Sequence, residues 1–277
     1  MKKILLLGSS GQLGRELTQF YPEINRPNRS ELDLYSISSV RSYLKNYQPD
    51  LIINCAAYTD VDLAEQESEK AFHLNAHILS ELSVVPAFIH LSTDYVFNGQ
   101  SNTPYSEIDK IEPINIYGQS KALGEKILLD YNPNSTIIRT SWLYSSHRKN
   151  FVKTIDKLCR DKDVLHVVDD QIGTPTLASD LAGIIFEYGI KNNRFKPGIY
   201  HYSNEGKCSW FDFAQEIKAI RGYSCKINPV KTFNYPRPAK RPAFSVLDKS
   251  KFKNEFQTDI PLWIISLKKF LNTYHDR

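Results

Sequence analysis

The feature that most restricts the fold lies at the start of the chain, where the apolar run Ile4–Leu7 passes straight into Gly8-Ser-Ser-Gly11-Gln-Leu-Gly14. A continuous apolar run suits a strand buried on both faces, the situation of a central strand in a parallel sheet. Glycines in the following turn let the backbone approach a pyrophosphate, which then rests on the N-terminus of a helix expected from Arg15 to Phe20. Gly8, Gly11 and Gly14 are therefore candidate cofactor contacts. The spacing is G-x-x-G-x-x-G, a partial match to the general dinucleotide fingerprint, and a tight turn without a ligand is the alternative.

The next stretches repeat the strand–helix alternation. Glu23–Arg26 is expected as a short second strand. An acidic residue after it would take the ribose 2′-hydroxyl of NAD. The chain instead offers Asn28 and Arg29, with Arg26 nearby, which suits a 2′-phosphate and favours NADPH while leaving NADH open. Asp33 is placed to bond the adenine edge, or to cap a helix over Ile37–Asn46. The strand from Pro49 to Ala57 ends in small residues that let a cofactor lie close. Glu65, Glu67 and Glu69 have the pattern of a solvated helix face, and Asn75 that of a packed or capping amide. Phe88–Ser92 is another apolar strand and delivers Ser92, Thr93 and Asp94 at its C-terminal end, the edge where doubly wound sheets bind ligands.

Tyr117 and Lys121 stand four residues apart, hence on one face if residues 117 to 129 are helical. A phenol is ordinarily a poor proton donor-acceptor at neutral pH, and an ammonium beside it would lower its pKa. With the Thr93 hydroxyl, the pair suits reversible carbonyl reduction, in which Tyr117 passes a proton and a cofactor supplies hydride. Tyr-x-x-x-Lys alone is a weak signal, since packing of an aromatic beside a solvated lysine gives the same pattern. Convergence with the strand ends favours the catalytic reading.

Composition narrows the class. With 277 residues, 41% hydrophobic and 24% charged, the chain resembles an ordinary soluble enzyme. A net charge of +4 without basic clusters argues against nucleic acid and is compatible with a small anionic substrate. Cys55, Cys159, Cys208 and Cys225 form no metal-ligand spacing and require no disulfide. Ile4–Leu7 is too short for a signal segment or membrane span, so a cytoplasmic protein is expected.

Gly8-x-x-Gly-Gln-Leu-Gly14, Asn54-Cys-Ala-Ala-Tyr-Thr-Asp-Val-Asp62, Ser92-Thr-Asp-Tyr-Val-Phe-x-Gly99 and Tyr117-Gly-x-x-Lys121 occur in this order. They are followed by Arg139-Thr-Ser-Trp-Leu-Tyr144, Asp170-Gln-x-Gly-x-Pro-Thr176, Gly198-Ile-Tyr-His201 and Arg241-Pro-x-x-Ser-Val-Leu247. Taken together, the chain resembles the extended short-chain dehydrogenase/reductases and, within them, the dTDP-4-dehydrorhamnose reductase family. The resemblance implies a catalytic set of Thr93, Tyr117 and Lys121. It implies cofactor contacts at Gly11, Gln12 and Leu13 and at Ala56, Ala57 and Tyr58, and sugar-nucleotide contacts at Asp94 and Trp142. Family members use NADH or NADPH; the usual acidic residue after the second strand is replaced by Asn28. Some members dimerise through a magnesium site built from glutamates. Only Glu16 offers a match, so no metal is expected and a homodimer stays open.

The fold expected is α/β: a Rossmann-type doubly wound parallel sheet over residues 1–148, with a smaller α/β substrate-binding domain over 149–277, some of whose segments return to the first. In the second part, Asn150–Asp161, Thr176–Tyr188 and Trp210–Ile220 are expected as helices, and Val164–Val168 and Phe195–Tyr202 as strands. Arg237, Lys240 and Arg241 are candidates for a substrate pyrophosphate, or else a solvated basic loop; His90 and His201 suit packed core positions. The expected activity is NAD(P)H-dependent reduction of the C4 keto group of dTDP-4-dehydro-L-rhamnose. Its rivals are reduction of another nucleotide-linked 4-keto sugar and a dinucleotide-binding regulatory subunit.

Overall fold

In the computed structural model, which describes residues 2–274, five parallel strands form the central sheet. They are β1 (Ile4–Leu7), β2 (Leu51–Asn54), β3 (Ala87–Thr93), β4 (Ser135–Thr140) and β5 (Gly198–His201), adjacent in that order. Ile4 and Leu6 of β1 point into one hydrophobic layer with Leu13, Leu17, Leu181 and Phe252. Leu5 and Leu7 point into the opposite layer with Val40, Leu44, Leu79 and Leu128. Both faces of the strand are thus buried, which is why its sequence does not alternate.

The helix Gln12–Phe20 lies on the first face. The helices Ile37–Tyr47 and Ile116–Tyr131 lie on the other. The chain changes face between β1 and β2, and Gly8 sits at that crevice with φ +76°, where a Cβ would come within 2.4 Å of the Ala56 amide nitrogen. Only glycine fits this close approach of two strand ends.

Three expectations change. The strand over Glu23–Arg26 is reduced to a single bridge, in which Leu6 N–H donates to the Asn25 carbonyl at 2.8 Å. Pro22 and Pro27 flank the segment and cannot donate to a ladder. Asp33 does not cap the next helix: Ser36 does, accepting from Ser39 N–H. The helix expected over Thr176–Tyr188 begins at Ala178 and gives way after Ile184 to a π-helical stretch, Ile185–Lys191.

A second lobe is built by helices Phe151–Asp161, Trp210–Arg221 and Trp263–Thr273 around the parallel pair Val164–Val168 and Lys226–Val230. Its own core gathers Val152, Ile155, Phe213, Ile217, Leu267 and Leu271. Helix starts are capped as their sequences allow: Asn150 accepts from Lys153 N–H, and Ser209 and Asp212 form a capping box. No helix among the described residues is long and apolar enough to cross a membrane.

Candidate active site

The C-terminal ends of β3 and β4 and the start of helix Ile116–Tyr131 enclose a cavity of about 780 Å³. Thr93, Asp94, Tyr117, Lys121 and Trp142 all line it, as do Gly11, Gln12 and Ala57, three of the expected cofactor contacts. The helix is anchored by Asn115, whose side chain accepts from Gly118 N–H at 2.7 Å. Gly118 lets the helix lie directly on β3's exit, since a Cβ there would meet the Tyr95 carbonyl oxygen at 2.2 Å. Tyr117 packs edge-on against the Tyr95 ring, 5.8 Å between centroids.

Burial pushes the Tyr117 phenol up to about 12, with side-chain hydrogen bonding to Thr93 acting in the opposite direction. The expected lowering of Tyr117 by Lys121 is absent here, because the ammonium is directed inward. Lys121, 1% exposed, donates to the Leu91 carbonyl at 2.6 Å and lies 3.1 Å from His90 Nε2. Burial lowers its pKa to about 8, against the charge of Glu125. Asp94 is 2% exposed. Its Oδ1 accepts from the Thr93 hydroxyl at 3.1 Å, and its Oδ2 has no hydrogen-bond partner. Burial raises Asp94 to about 7.

The residues expected at the cofactor divide by position. Asn28, Arg29 and Asp33 line a second cavity of about 280 Å³ together with Gly8, Ser9 and Ser10. The Arg29 guanidinium lies 5.3 Å over the Tyr35 ring and 3.7 Å from Asp33. Asn28 Oδ1 accepts from Ser30 N–H at 2.8 Å, turning the loop back. Gly11 starts the first helix, and no side chain caps the N–H groups there. Gly14 packs against the Gly8 carbonyl. The Leu13 side chain goes into the core, which leaves only its backbone for a ligand. Gln12 bridges to the second lobe, donating to the Leu143 carbonyl and accepting from Asn150. Ala56 N–H is held by Asn54 Oδ1 at 3.0 Å, and the Tyr58 hydroxyl donates to Glu67 at 2.7 Å.

Trp142 stacks on Trp210 with centroids 3.5 Å apart and planes 7° from parallel, its backbone held at φ +45°. It forms an aromatic wall rather than a core plug. Arg241, expected at a pyrophosphate, is paired instead with Asp62 through two bonds of 2.6 and 2.9 Å. Arg237 approaches the same carboxylate at 3.9 Å. The basic loop is thus clasped to the first lobe at the cavity's edge.

Several long-range contacts tie these elements together. Asn75, expected as a packed or capping amide, is fully buried; it accepts from Tyr58 N–H and donates to Ser120, tying Tyr58 to helix Ile116–Tyr131. Glu65, placed on a solvated face, accepts from Ile116 N–H at 2.9 Å, at the start of that helix. Asp62 pairs with a residue 179 positions away. No local spacing signals such contacts. Glu16, also buried, lies 3.7 Å from His147.

Comparison with known proteins agrees with this geometry. The chain is 42% identical over 256 residues to the spore coat polysaccharide biosynthesis protein SpsK of Bacillus subtilis, covering 89% of each chain. It is 38% identical over 288 residues to dTDP-4-dehydrorhamnose reductase of Aggregatibacter actinomycetemcomitans, covering 97% of this chain and 98% of the relative. The solved structure of dTDP-4-dehydrorhamnose reductase from Bacillus anthracis in complex with NADP superposes with a TM-score of 0.93 at 35% identity, over 99% of this chain and all of the other. The model of the RmlD substrate binding domain matches residues 1–276, and the chain belongs to that family, the dTDP-4-dehydrorhamnose reductases of the extended short-chain dehydrogenase/reductase fold.

Proposed function

We propose that this chain reduces the C4 keto group of dTDP-4-dehydro-L-rhamnose to give dTDP-L-rhamnose, using NADPH, with Tyr117 as proton donor. The observation that carries the reading is the meeting of Thr93, Tyr117 and Lys121 on the wall of one cavity that also opens onto Gly11 and Gln12. A binding-only protein has no use for that set. The residues present suit a dinucleotide: the crevice at Gly8 leaves no room for a side chain, and the helix start at Gly11 lacks a side-chain cap. Arg29, beside Asn28 where an acidic residue would favour NAD, suits a 2′-phosphate. When bound, NADPH supplies the hydride that reaches the carbonyl carbon.

On substrate binding the Thr93 hydroxyl turns from Asp94 Oδ1 to donate to the keto oxygen, and Tyr117 gives that oxygen its proton as negative charge develops there. A phenol held up at about 12 is fully protonated at neutral pH and so ready to donate. The tyrosinate left behind recovers its proton from solvent. Asp94, poised near 7, supplies a sugar-hydroxyl partner on the cavity wall, and the Trp142–Trp210 stack supplies a flat apolar wall.

The test is NADPH consumption with enzymatically prepared dTDP-4-dehydro-L-rhamnose and identification of the product by NMR. Tyr117→Phe is expected to keep cofactor affinity and to lose about 10²–10⁴-fold in turnover. Turnover by Tyr117→Phe at the wild-type rate would refute the proton-donor role. Reduction of a different keto sugar alone would transfer the site to that substrate.

A further inference from the structure

His90 looks like core packing, since it is fully buried in β3, but its two ring nitrogens face a chain of polar groups. Nδ1 lies 3.2 Å from Asn54 Nδ2 and Nε2 lies 3.1 Å from Lys121 Nζ. The orientation of Asn54 is fixed independently: its Oδ1 accepts from Ala56 N–H at 3.0 Å, and a backbone N–H can only donate. The amide NH₂ therefore points at His90 and donates, so Nδ1 must accept. A neutral imidazole that accepts at Nδ1 carries its proton on Nε2. That N–H faces Lys121, and only an unprotonated amine has a lone pair to receive it. A Lys121 ammonium would instead meet an N–H, unless His90 moved its proton to Nδ1 and lost the bond from Asn54.

We propose that His90 is a positioning residue for Lys121, its tautomer fixed by Asn54 so that the Asn54–His90 chain favours the neutral amine and couples the lysine's charge to the position of one imidazole proton. Lys121 takes up that charge as a proton from solvent; the proton on His90 relocates from Nε2 to Nδ1, and the ring stays neutral throughout. Burial and the neighbouring lysine both hold His90 well below its ordinary pKa, so imidazolium does not form. The other groups acting on this pair are Cys55 beyond the end of β2 and Glu125 one turn after Lys121, the latter paired with Arg139 of β4; Tyr117 lies one helical turn before Lys121, from which the amine is turned away. Burial already lowers Lys121 to about 8, and the His90 contact acts in the same direction. The catalytic meaning rests on the proposed role of Tyr117 and Lys121, but the coupling itself is a property of the free protein.

The test uses the free, full-length chain labelled at histidine and lysine, with His90 and Lys121 resonances assigned by His90→Phe and Lys121→Met. Imidazole nitrogen shifts should report the Nε2–H tautomer at alkaline pH and a change to Nδ1–H at the pH where Lys121 titrates, at or below about 8. A single tautomer across the whole titration, or an imidazolium, overturns the proposal. Asn54→Asp keeps an acceptor for Ala56 N–H and replaces the donating amide with a carboxylate that accepts from Nδ1–H. It should lock that tautomer and raise the Lys121 midpoint by about one pH unit or more. In the His90→Phe background that rise should shrink by more than half; an undiminished rise would show that the new charge acts through space, and the coupling would fail. None of these readings needs substrate, so absence of sugar-nucleotide turnover counts against the proposed reaction and leaves this one standing.

Discussion

Beneath the proposed catalytic residues lies a buried ion pair whose removal should be measurable by calorimetry. Glu125 and Arg139 have side chains 2% and 0% exposed, and they meet through Nε–Oε1 and Nη2–Oε2 bonds of 2.9 and 2.7 Å. The Ser92 hydroxyl adds a third bond to Glu125. The guanidinium also covers the Phe97 ring at 5.2 Å. Glu125→Gln keeps the shape and most hydrogen-bonding capacity but leaves the guanidinium as a buried, uncompensated charge, which costs about 3–5 kcal/mol. With a melting entropy of roughly 2.1 cal/mol/K per residue over 277 residues, this corresponds to a fall in Tm of roughly 5–9 °C. Scanning calorimetry reads it directly. The double variant Glu125→Leu with Arg139→Met removes both charges and should recover more than half of the loss, because two apolar side chains need no compensation. A Glu125→Gln protein melting within about 2 °C of wild type would refute the claim that the charge is compensated only by Glu125.

Three further perturbations follow from the site. Gly118→Ala must push helix Ile116–Tyr131 away from the Tyr95 carbonyl, where a Cβ would sit 2.2 Å distant; turnover should fall at least about 10²-fold, and a rate near wild type would show that the helix can move without cost. Asp94 has a folded pKa raised from 3.8 to about 7, so the folded chain binds more protons than the unfolded one between those values and loses stability as pH rises through 7. Asp94→Asn should therefore gain on wild type by up to about 4 kcal/mol on going from about pH 4 to about pH 8, and denaturant melts showing a constant difference would refute it. Asp62→Ala frees Arg241 and unclasps the basic loop, so KM for the sugar nucleotide should change with that for NADPH unaltered; equal change in both constants would place the loop's influence elsewhere.

The sheet was legible because its strands are buried on both faces: Ile4–Leu7, Leu51–Asn54 and Phe88–Leu91 read as apolar runs. Helix starts were legible where the cap is local, as at Asn150 and Ser209. The segment at Glu23–Arg26 resembled a strand by position, but its ladder is one bridge at Asn25, and ladder length depends on a partner that is remote in sequence. The helix expected over Thr176–Tyr188 runs on into the π-helical stretch Ile185–Lys191, where hydrogen bonding changes from i→i+4 to i→i+5.

For the site, spacing placed Tyr117 and Lys121 on one helical face and the strand rule brought Thr93 to the same edge, so the trio could be assembled from sequence. What spacing could not supply is where each polar atom points. Lys121 was expected to act sideways on Tyr117; its Nζ instead goes inward to the Leu91 carbonyl and His90. The cause is the packing of the helix on β3, which brings the Leu91 carbonyl within reach of a long buried side chain whose hydrogens need an acceptor. Arg241 shows the same thing across 179 residues, its guanidinium taken by Asp62. A charge in a sequence states what must be satisfied; only the fold states by whom, and in this protein that choice separates a phenol lowered by an ammonium from one that burial keeps protonated.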